Sequence, residues 1–299
     1  MTKVLFIGCN TNQLAYLKNF LSMNFNVIGT DINYNAPGKN LCNHFYQVSY
    51  TDHRLLLEIG YKHDFTKEDK VFTASSQFAH LSASIFAEKF GIKYPSFKNI
   101  NIILDKKKFY KLFQNKDIPI PKTRYIKSHE SLLKILSNKK TNYYLKSDFS
   151  KNPNYVYRLQ SPYENLDRIF WGKDKYLKKY YILQEEFLGR HLRLNIYGDD
   201  YNIFDFFDNK LITDLNKQLY NFNIIQSLMN LTHHLELKNW IVKFDIVLSN
   251  SDFVVLDIGI DPPSRMRKLL EYNGYNFAKL YIQHQLFGKI NYPSVCLKI

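Results

Sequence analysis

Over its first hundred residues the sequence switches hydrophobic period repeatedly, and this constrains the fold more than any other feature. "KVLFIG" (3–8) is a continuous apolar run of strand length, followed by Leu14, Leu17, Phe20 and Leu21 on one helical face. "NVIGTD" (26–31), "FYQVS" (45–49) and "DKVFTAS" (69–75) read as further strands. "RLLLEIGYKH" and "QFAHLSASIFAEKFG" read as helices, the second stopped by Gly91. Strands of this kind separated by helix-length segments predict a parallel sheet with helices on its faces. The turn "GCNTNQ" lacks the spaced glycines of a dinucleotide fingerprint and reads as a tight strand-to-helix turn. Asp31 ends the second strand, where dinucleotide folds place a ribose-binding acid, but without those glycines no cofactor is assigned to it.

The pattern changes after "KYPSFKN" (93–99), which reads as a linker. A helix from Asp105 to Asn115 is ended by the prolines of "IPIPKTRYI". From there strands dominate: "TRYIKS", "NYYLKS", "NYVYRL", "YYILQEEFL", "HLRLNIYG" and "NIFDFF". A helix over about 216–234 and one last helix with Leu269, Leu270, Phe277, Leu280 and Tyr281 on its apolar side complete the chain. The fold class expected is α/β joined to α+β. Residues 1–100 form a parallel-sheet domain and 101–299 a second domain, with a lid at about 122–182.

"VKFDIVLSNSDFVVLDIGIDPP" (242–263) reads as a hairpin of two apolar strands, each with one aspartate, Asp245 and Asp257. A carboxylate in such surroundings is costly unless a cation or donors compensate it, and like charges facing across a hairpin repel. A positive group is expected there. With an odd number of loop residues, such as Asn250 to Asp252, the two acids lie opposite each other on one face. With an even number they point to opposite faces. On a shared face they form a pair of oxygen donors of the kind that holds Mg²⁺ together with phosphate oxygens. The plainer reading is a solvated sheet face bearing ordinary acids.

Five stretches occur in a telling order: "LDKKKFYKLFQNKDIPIPKT" (104–123), "YYLKSD" (143–148), "YILQEEFLG" (181–189), "HLRLNIYGDD" (191–200) and "FDIVLSNSDFVVLDIG" (244–259). Together they resemble the ATP-grasp superfamily of ligases, and the first hundred residues resemble the small α/β domain that precedes the two-lobed grasp domain. The resemblance implies Mg²⁺ and ATP as cofactors. It places Lys106 and Lys146 on the nucleotide phosphates and Glu185 on the adenine amino group. The backbone of Phe187 and Leu188 becomes the hinge at the ring edge, and Glu186 a ribose-side or surface neighbour. His191 and Arg193 share a face of one strand by period 2. The resemblance gives His191 a nucleotide-side role, with a structural imidazole as the alternative. It makes Arg193 the stabiliser of the transferring phosphoryl group, and Asp245 and Asp257 the metal-binding acids, 12 residues apart.

Three departures stand out. Gly259 occupies the position where the family usually carries Asn, leaving one magnesium ligand missing, with Asp261 a candidate substitute. The lid loop "SDFSKNPNYVYRL" has no glycine, leaving Ser150, Lys151 and Asn152 as donors for the γ-phosphate. "PPSRM" replaces a small-residue turn, so Arg265 is expected either to bind a substrate carboxylate or to cap the last helix. The implied chemistry is an ATP-dependent ligase that activates a carboxylate as an acyl phosphate for attack by an amine, forming a carbon–nitrogen bond. The alternative is a catalytically degenerate grasp protein that binds nucleotide or a partner without turnover.

Composition narrows the partners. The formal charge of +14 invites a nucleic-acid reading, but the basic residues are scattered and no Arg-rich arm appears. Small-molecule carboxylate and amine substrates are expected instead of nucleic acid, and the resemblance allows a homodimer. No apolar run approaches the roughly 20 residues of a bilayer span, so no membrane is expected. The N-terminus reads as a first strand and not a signal peptide, making the cytoplasm the expected location. Cys9, Cys42 and Cys296 imply neither a disulfide framework nor a zinc site.

Overall fold

The computed structural model describes residues 1–136, 141–147, 156–159, 181–207, 211–212, 223–250, 252–288 and 292–293. Two compact units are present. One comprises Met1–Asn101, Arg193–Lys243 and Ile258–Ile299, the other Ile102–Leu192 and Phe244–Asp257.

The first unit contains the predicted parallel sheet. Strands β1 (Lys3–Ile7), β2 (Asn26–Asp31), β3 (His44–Gln47) and β4 (Lys70–Thr73) lie in the order β3-β2-β1-β4, every pair parallel. Leu5 stands between Ile28 and Val71. Period 2 sends alternate side chains to opposite faces. Val4 and Phe6 join Tyr16, Leu17 and Phe20 of α1 (Leu14–Ser22). Leu5 and Ile7 join Leu56 and Ile59 of α2 (His53–Lys62) and Ala83 and Phe86 of α3 (Ala79–Phe90). Gly91 ends α3 at φ +67°, a left-handed conformation that glycine adopts without strain. Both sheet faces are therefore buried, as parallel sheets require.

Two expectations fail here. The linker expected at 93–99 is entered by a helix, α4 (Phe97–Leu104), with Ile100, Ile103 and Leu104 fully buried. The single last helix is two, α8 (Ser264–Tyr272) and α9 (Phe277–Phe287). Gly274 at φ +79° breaks the chain between them, and Asn276 caps the second through the Lys279 N–H. The apolar stripe read as one helix is thus shared by two, and Met266, Leu270, Phe277 and Tyr281 pack into the same cluster as α1. The helix expected at 216–234 is described from α7 (Ile224–His234), the rest lying outside the described residues. Cys9 and Cys42, distant in sequence, have sulfurs 3.9 Å apart as free thiols.

In the second unit α5 (Lys106–Gln114) is capped by Asp105, whose carboxylate accepts from the Lys108 N–H at 3.0 Å. An antiparallel sheet runs β5 (Thr123–Ile126), β8 (Tyr181–Glu185), β6 (Tyr143–Ser147), β7 (Val156–Leu159). Helix α6 (His129–Leu136), which no sequence signal announced, buries Leu132 and Leu136 against Tyr143, Leu145 and Leu183 of this sheet. A third four-stranded sheet has the order β10 (Asp200–Asp205), β9 (Arg190–Tyr197), β11 (Ile241–Leu248), β12 (Phe253–Gly259). Among the described residues no helix is long and apolar enough to cross a membrane.

Candidate functional site

Lys106 occupies an awkward position. It is the first residue of α5, where the helix dipole disfavours a cation, and its side chain is only 5 % exposed, which disfavours the charge again. One compensating group is Asp257 on β12, whose Oδ2 lies 3.8 Å from Nζ. That separation exceeds a hydrogen bond, and the Asp257 side chain is 32 % exposed. One turn along α5, the buried Tyr110 donates its hydroxyl to the Leu256 carbonyl at 2.8 Å and reaches Gln184 Oε1 at 3.3 Å. The Gln184 amide donates in turn to Thr123 Oγ1 at 3.0 Å. This polar chain fixes α5 against β12, β8 and β5, and with it the position of Lys106.

Lys146 lies in β6 opposite Ile182 and Val156, its side chain buried. After β8, residues 186–188 belong to no strand or helix, as the hinge role expected of Phe187 and Leu188 requires. Leu188 is 77 % exposed, an apolar side chain held in solvent. Gly189 follows because a Cβ there would sit 2.4 Å from the Leu248 carbonyl oxygen.

The adjacent acids separate clearly. Glu185 Oε2 lies 3.5 Å from the exposed Lys122 ammonium. Glu186 accepts from Arg158 Nε at 2.9 Å, Asn142 Nδ2 at 2.7 Å and the Tyr144 hydroxyl at 3.2 Å. Arg158, against the opposing effect of burial, holds the Glu186 carboxyl below its usual range, with Asn142 and Tyr144 contributing. Glu186 is thereby committed to protein partners. Neither Lys122 nor Arg158 was singled out in the sequence, since nothing in its pattern reports which strands are neighbours.

The hairpin of β11 and β12 closes through the Ser249 N–H to the Asp252 carbonyl at 2.8 Å, with Ser249 Oγ bonding the same oxygen. Two residues lie between this pair, the even arrangement. In an uninterrupted ladder it sets Asp245 and Asp257 one step out of register. One extra residue looped out between them would restore a shared face; Leu256 and Asp257 are consecutive half-buried residues in an otherwise buried strand.

Arg193 and Arg265, in the first unit, converge on one ring. Their guanidinium carbons lie 5.1 and 5.0 Å from the Phe206 centroid, and Arg265 also donates to the Phe206 carbonyl. Two cations on one ring form a strongly positive locus, suited to an anion. Phe206 was not anticipated as their anchor, and "NIFDFF" carries no signal of it. His191 is half-buried on β9.

Gly259 also receives a physical reason. Lys243 and Asp261 form an ion pair at 2.5 Å, and a Cβ at 259 would lie 3.1 Å from Lys243 Cε and 3.3 Å from Asp261 Oδ1. Burial opposes ionisation of Asp261, yet the Lys243 ammonium outweighs it and holds the carboxyl below its ordinary range. Lys243 engages Asp261 Oδ2, while Oδ1 is buried without a hydrogen-bond partner among the described residues. Asp31 is similarly engaged, accepting from the backbone N–H of Cys9 at 2.7 Å and of Asn33 at 2.9 Å. Ser150, Lys151 and Asn152 lie outside the described residues.

The fold can now be compared with solved structures. N5-carboxyaminoimidazole synthetase from Staphylococcus aureus complexed with ADP superposes with a TM-score of 0.72 at 12 % identity, over 97 % of this chain and 78 % of that one. The L-amino acid ligase of Bacillus licheniformis gives 0.71 at 13 %, over 97 % and 77 %. The biotin carboxylase domain of Hydrogenobacter thermophilus 2-oxoglutarate carboxylase, in complex with MgADP, gives 0.72 at 11 %, over 99 % and 72 %. The chain has the ATP-grasp fold. No protein-family model and no curated protein matches the sequence.

The donor set of this ATP-grasp chain fits Mg·ATP. Two buried lysines, Lys106 and Lys146, are cations suited to phosphate oxygens, and Asp257 is a hard oxygen donor with a partly exposed side chain. Mg²⁺ is usually bound through one or two carboxylates together with phosphate oxygens. Among the described residues no group of three His, Cys, Asp or Glu side chains could hold a metal ion.

Proposed function

We propose that the protein is an ATP-dependent ligase that converts a small-molecule carboxylate to an acyl phosphate and passes the acyl group to an amine. The observation that carries this reading is Lys106, a buried ammonium at a helix N-terminus beside a half-open carboxylate. A polyphosphate beside it would add compensation for both costs. The structural neighbours are named as ligases, synthetases and a biotin carboxylase, which supports the same reaction class.

In this proposal Lys106 and Lys146 pair with phosphate oxygens, and Glu185 accepts from the adenine amino group beside the Phe187–Leu188 backbone. His191 lies on the nucleotide side. Asp257 ligates the metal, joined by Asp245 if a bulge brings both to one face. Bound magnesium supplies neutralisation of the phosphate charge. Phosphoryl transfer depends on positioning and charge stabilisation more than on covalent help, and the residue set contains cations and metal-binding acids for that task. Arg193 stabilises the phosphoryl group in flight and Arg265 holds the substrate carboxylate, both braced by Phe206. An always-charged donor fork suits either role.

The test is ADP and phosphate release with Mg·ATP across a panel of carboxylic acids and amines, with mass spectrometry for the amide. Acid-dependent ADP release with an amide product is expected. Nucleotide binding without turnover under every pair would overturn the ligase assignment in favour of a binding-only grasp protein. Failure to bind nucleotide would overturn both.

A further inference from the structure

A cavity of about 430 Å³ lies wholly within the first unit, and none of the residues assigned above lines it. It opens at the amino ends of the parallel strands, where Lys70 and Val71 begin β4. Another cavity of this unit, about 370 Å³, is lined by Gly8, Asp31 and Ser75 at the carboxyl ends. Substrates of open α/β sheets bind at carboxyl ends, so a formed cavity at the opposite end calls for a separate explanation.

Its walls are of two kinds. One is apolar and rigid. Trp240 and Tyr94 meet edge to face with centroids 5.1 Å apart, and the Tyr94 hydroxyl is held by His80 Nδ1 at 2.6 Å. His80 is fully buried and itself packs edge-on against Trp240, at 5.2 Å. The other wall is cationic: Lys70, Lys93 and Lys238 line the cavity against one acid, Glu236. Lys238 is only loosely engaged, 3.7 Å from Asp199 with both side chains more than half exposed. The Lys70 ammonium donates to a backbone carbonyl. Glu236 is partly occupied by the Asn99 amide at 3.0 Å. The cavity therefore presents a rigid aromatic corner of two near-perpendicular rings and three ammonium groups within the size range of small-molecule sites.

We infer that this cavity is a second ligand site, which takes a small organic phosphate bearing a flat apolar ring. Ammonium groups are compact point charges suited to phosphate, and the Trp240–Tyr94 wall supplies a surface for a ring. The inference is independent of the ligase reading, since it uses neither the nucleotide-side residues nor the arginine pair.

Calorimetric titration with phenyl phosphate tests it, performed on the full chain with and without saturating Mg·ADP. One saturable site is expected, unaffected by Mg·ADP. Inorganic phosphate, lacking the ring, should bind more weakly. The K93A/K238A variant alters two exposed side chains and should weaken phenyl phosphate about tenfold or more, because each lost charged hydrogen bond approaches a factor of ten. Circular dichroism establishes that this variant is folded. The site is refuted if no saturable heat appears, if the double variant binds as tightly as the parent, or if Mg·ADP competes.

Discussion

Two lysine–aspartate pairs, whose acids lie four residues apart, contrast in how closely they are held. Lys106 and Asp257 stand 3.8 Å apart, while Lys243 and Asp261 close to 2.5 Å. Both aspartates are equally exposed, at 32 %, so exposure does not distinguish them. Closure does. In the tight pair each charge is the other's main compensation, and Gly259 leaves the space the pair needs. The loose pair stands beyond hydrogen-bond distance, with the Asp257 carboxylate partly open to solvent. The lesson concerns the position where the ATP-grasp resemblance leads one to expect Asn: its absence accompanies an ion pair that occupies the same volume.

The comparison breaks most decisively at Asp257. Asp257→Asn should lower ADP release by about 10²–10³-fold, the usual scale for losing a group that stabilises transition-state charge, with little change in melting temperature. Lys106→Met should weaken nucleotide binding more than it alters stability. Asp245→Asn then sharpens the register question. If a bulge gives both acids one face, it matches Asp257→Asn; if the even hairpin holds throughout, turnover survives. Full activity in Asp257→Asn would remove the metal role altogether.

Gly259→Asn addresses the tight pair. If the pair excludes a side chain, the variant should lose about 1–3 kcal/mol of stability, the usual cost of overpacking, and gain no activity in denaturation and turnover assays. A rise in activity at unchanged stability would show that the Asn position is vacant and that Gly259 is a missing ligand.

How much of this could be read from the chain depended on range. Strands β1 to β4, the helices between them and the strand-rich middle were legible because period 2 and period 3.6 are local signals. The break at Gly274 was missed because apolar spacing alone continues across it. The order of the site stretches identified Lys106, Lys146 and Asp257 as candidates. It could not reveal that Glu186 is committed to Arg158, or that Phe206 supports two arginines, since these contacts join segments that only the fold brings together. The hairpin register stayed open for a related reason: four polar residues between two strands fit more than one turn.

Acid sensitivity is a smaller effect, located in the first unit. His80 and His284 are buried, and burial pushes each down to about 4 from an ordinary 6.5. A depressed folded value means that the unfolded chain takes up the proton first. The stability from a neutral imidazole is therefore complete above about pH 6.5 and is lost as pH falls toward 4, with a slope of up to about 1.4 kcal/mol per pH unit for each group. Denaturant midpoints should fall over this window, and His284→Leu should flatten the slope. An unchanged slope would mean that His284 titrates normally in the fold.

The smallest expected effect separates the two adjacent acids of the second unit. Glu186→Gln keeps one acceptor oxygen for Asn142 or Tyr144 and loses the charge facing Arg158, whose side chain is 44 % exposed and therefore screened. A melting shift of no more than about 2 °C follows, with KM for ATP unchanged. Glu185→Gln replaces one acceptor oxygen by a donor at the position proposed to receive the adenine amino group, and should raise KM for ATP while leaving KM for the acid alone. The contrast rests on commitment, not charge. Glu186 has both carboxylate oxygens held by Arg158, Asn142 and Tyr144, whereas the Lys122 ammonium stands 3.5 Å from Glu185, beyond the usual hydrogen-bond distance. Were Glu186→Gln the variant that raised KM, its protein contacts would have to open when nucleotide binds, and the hinge would begin one residue later than proposed.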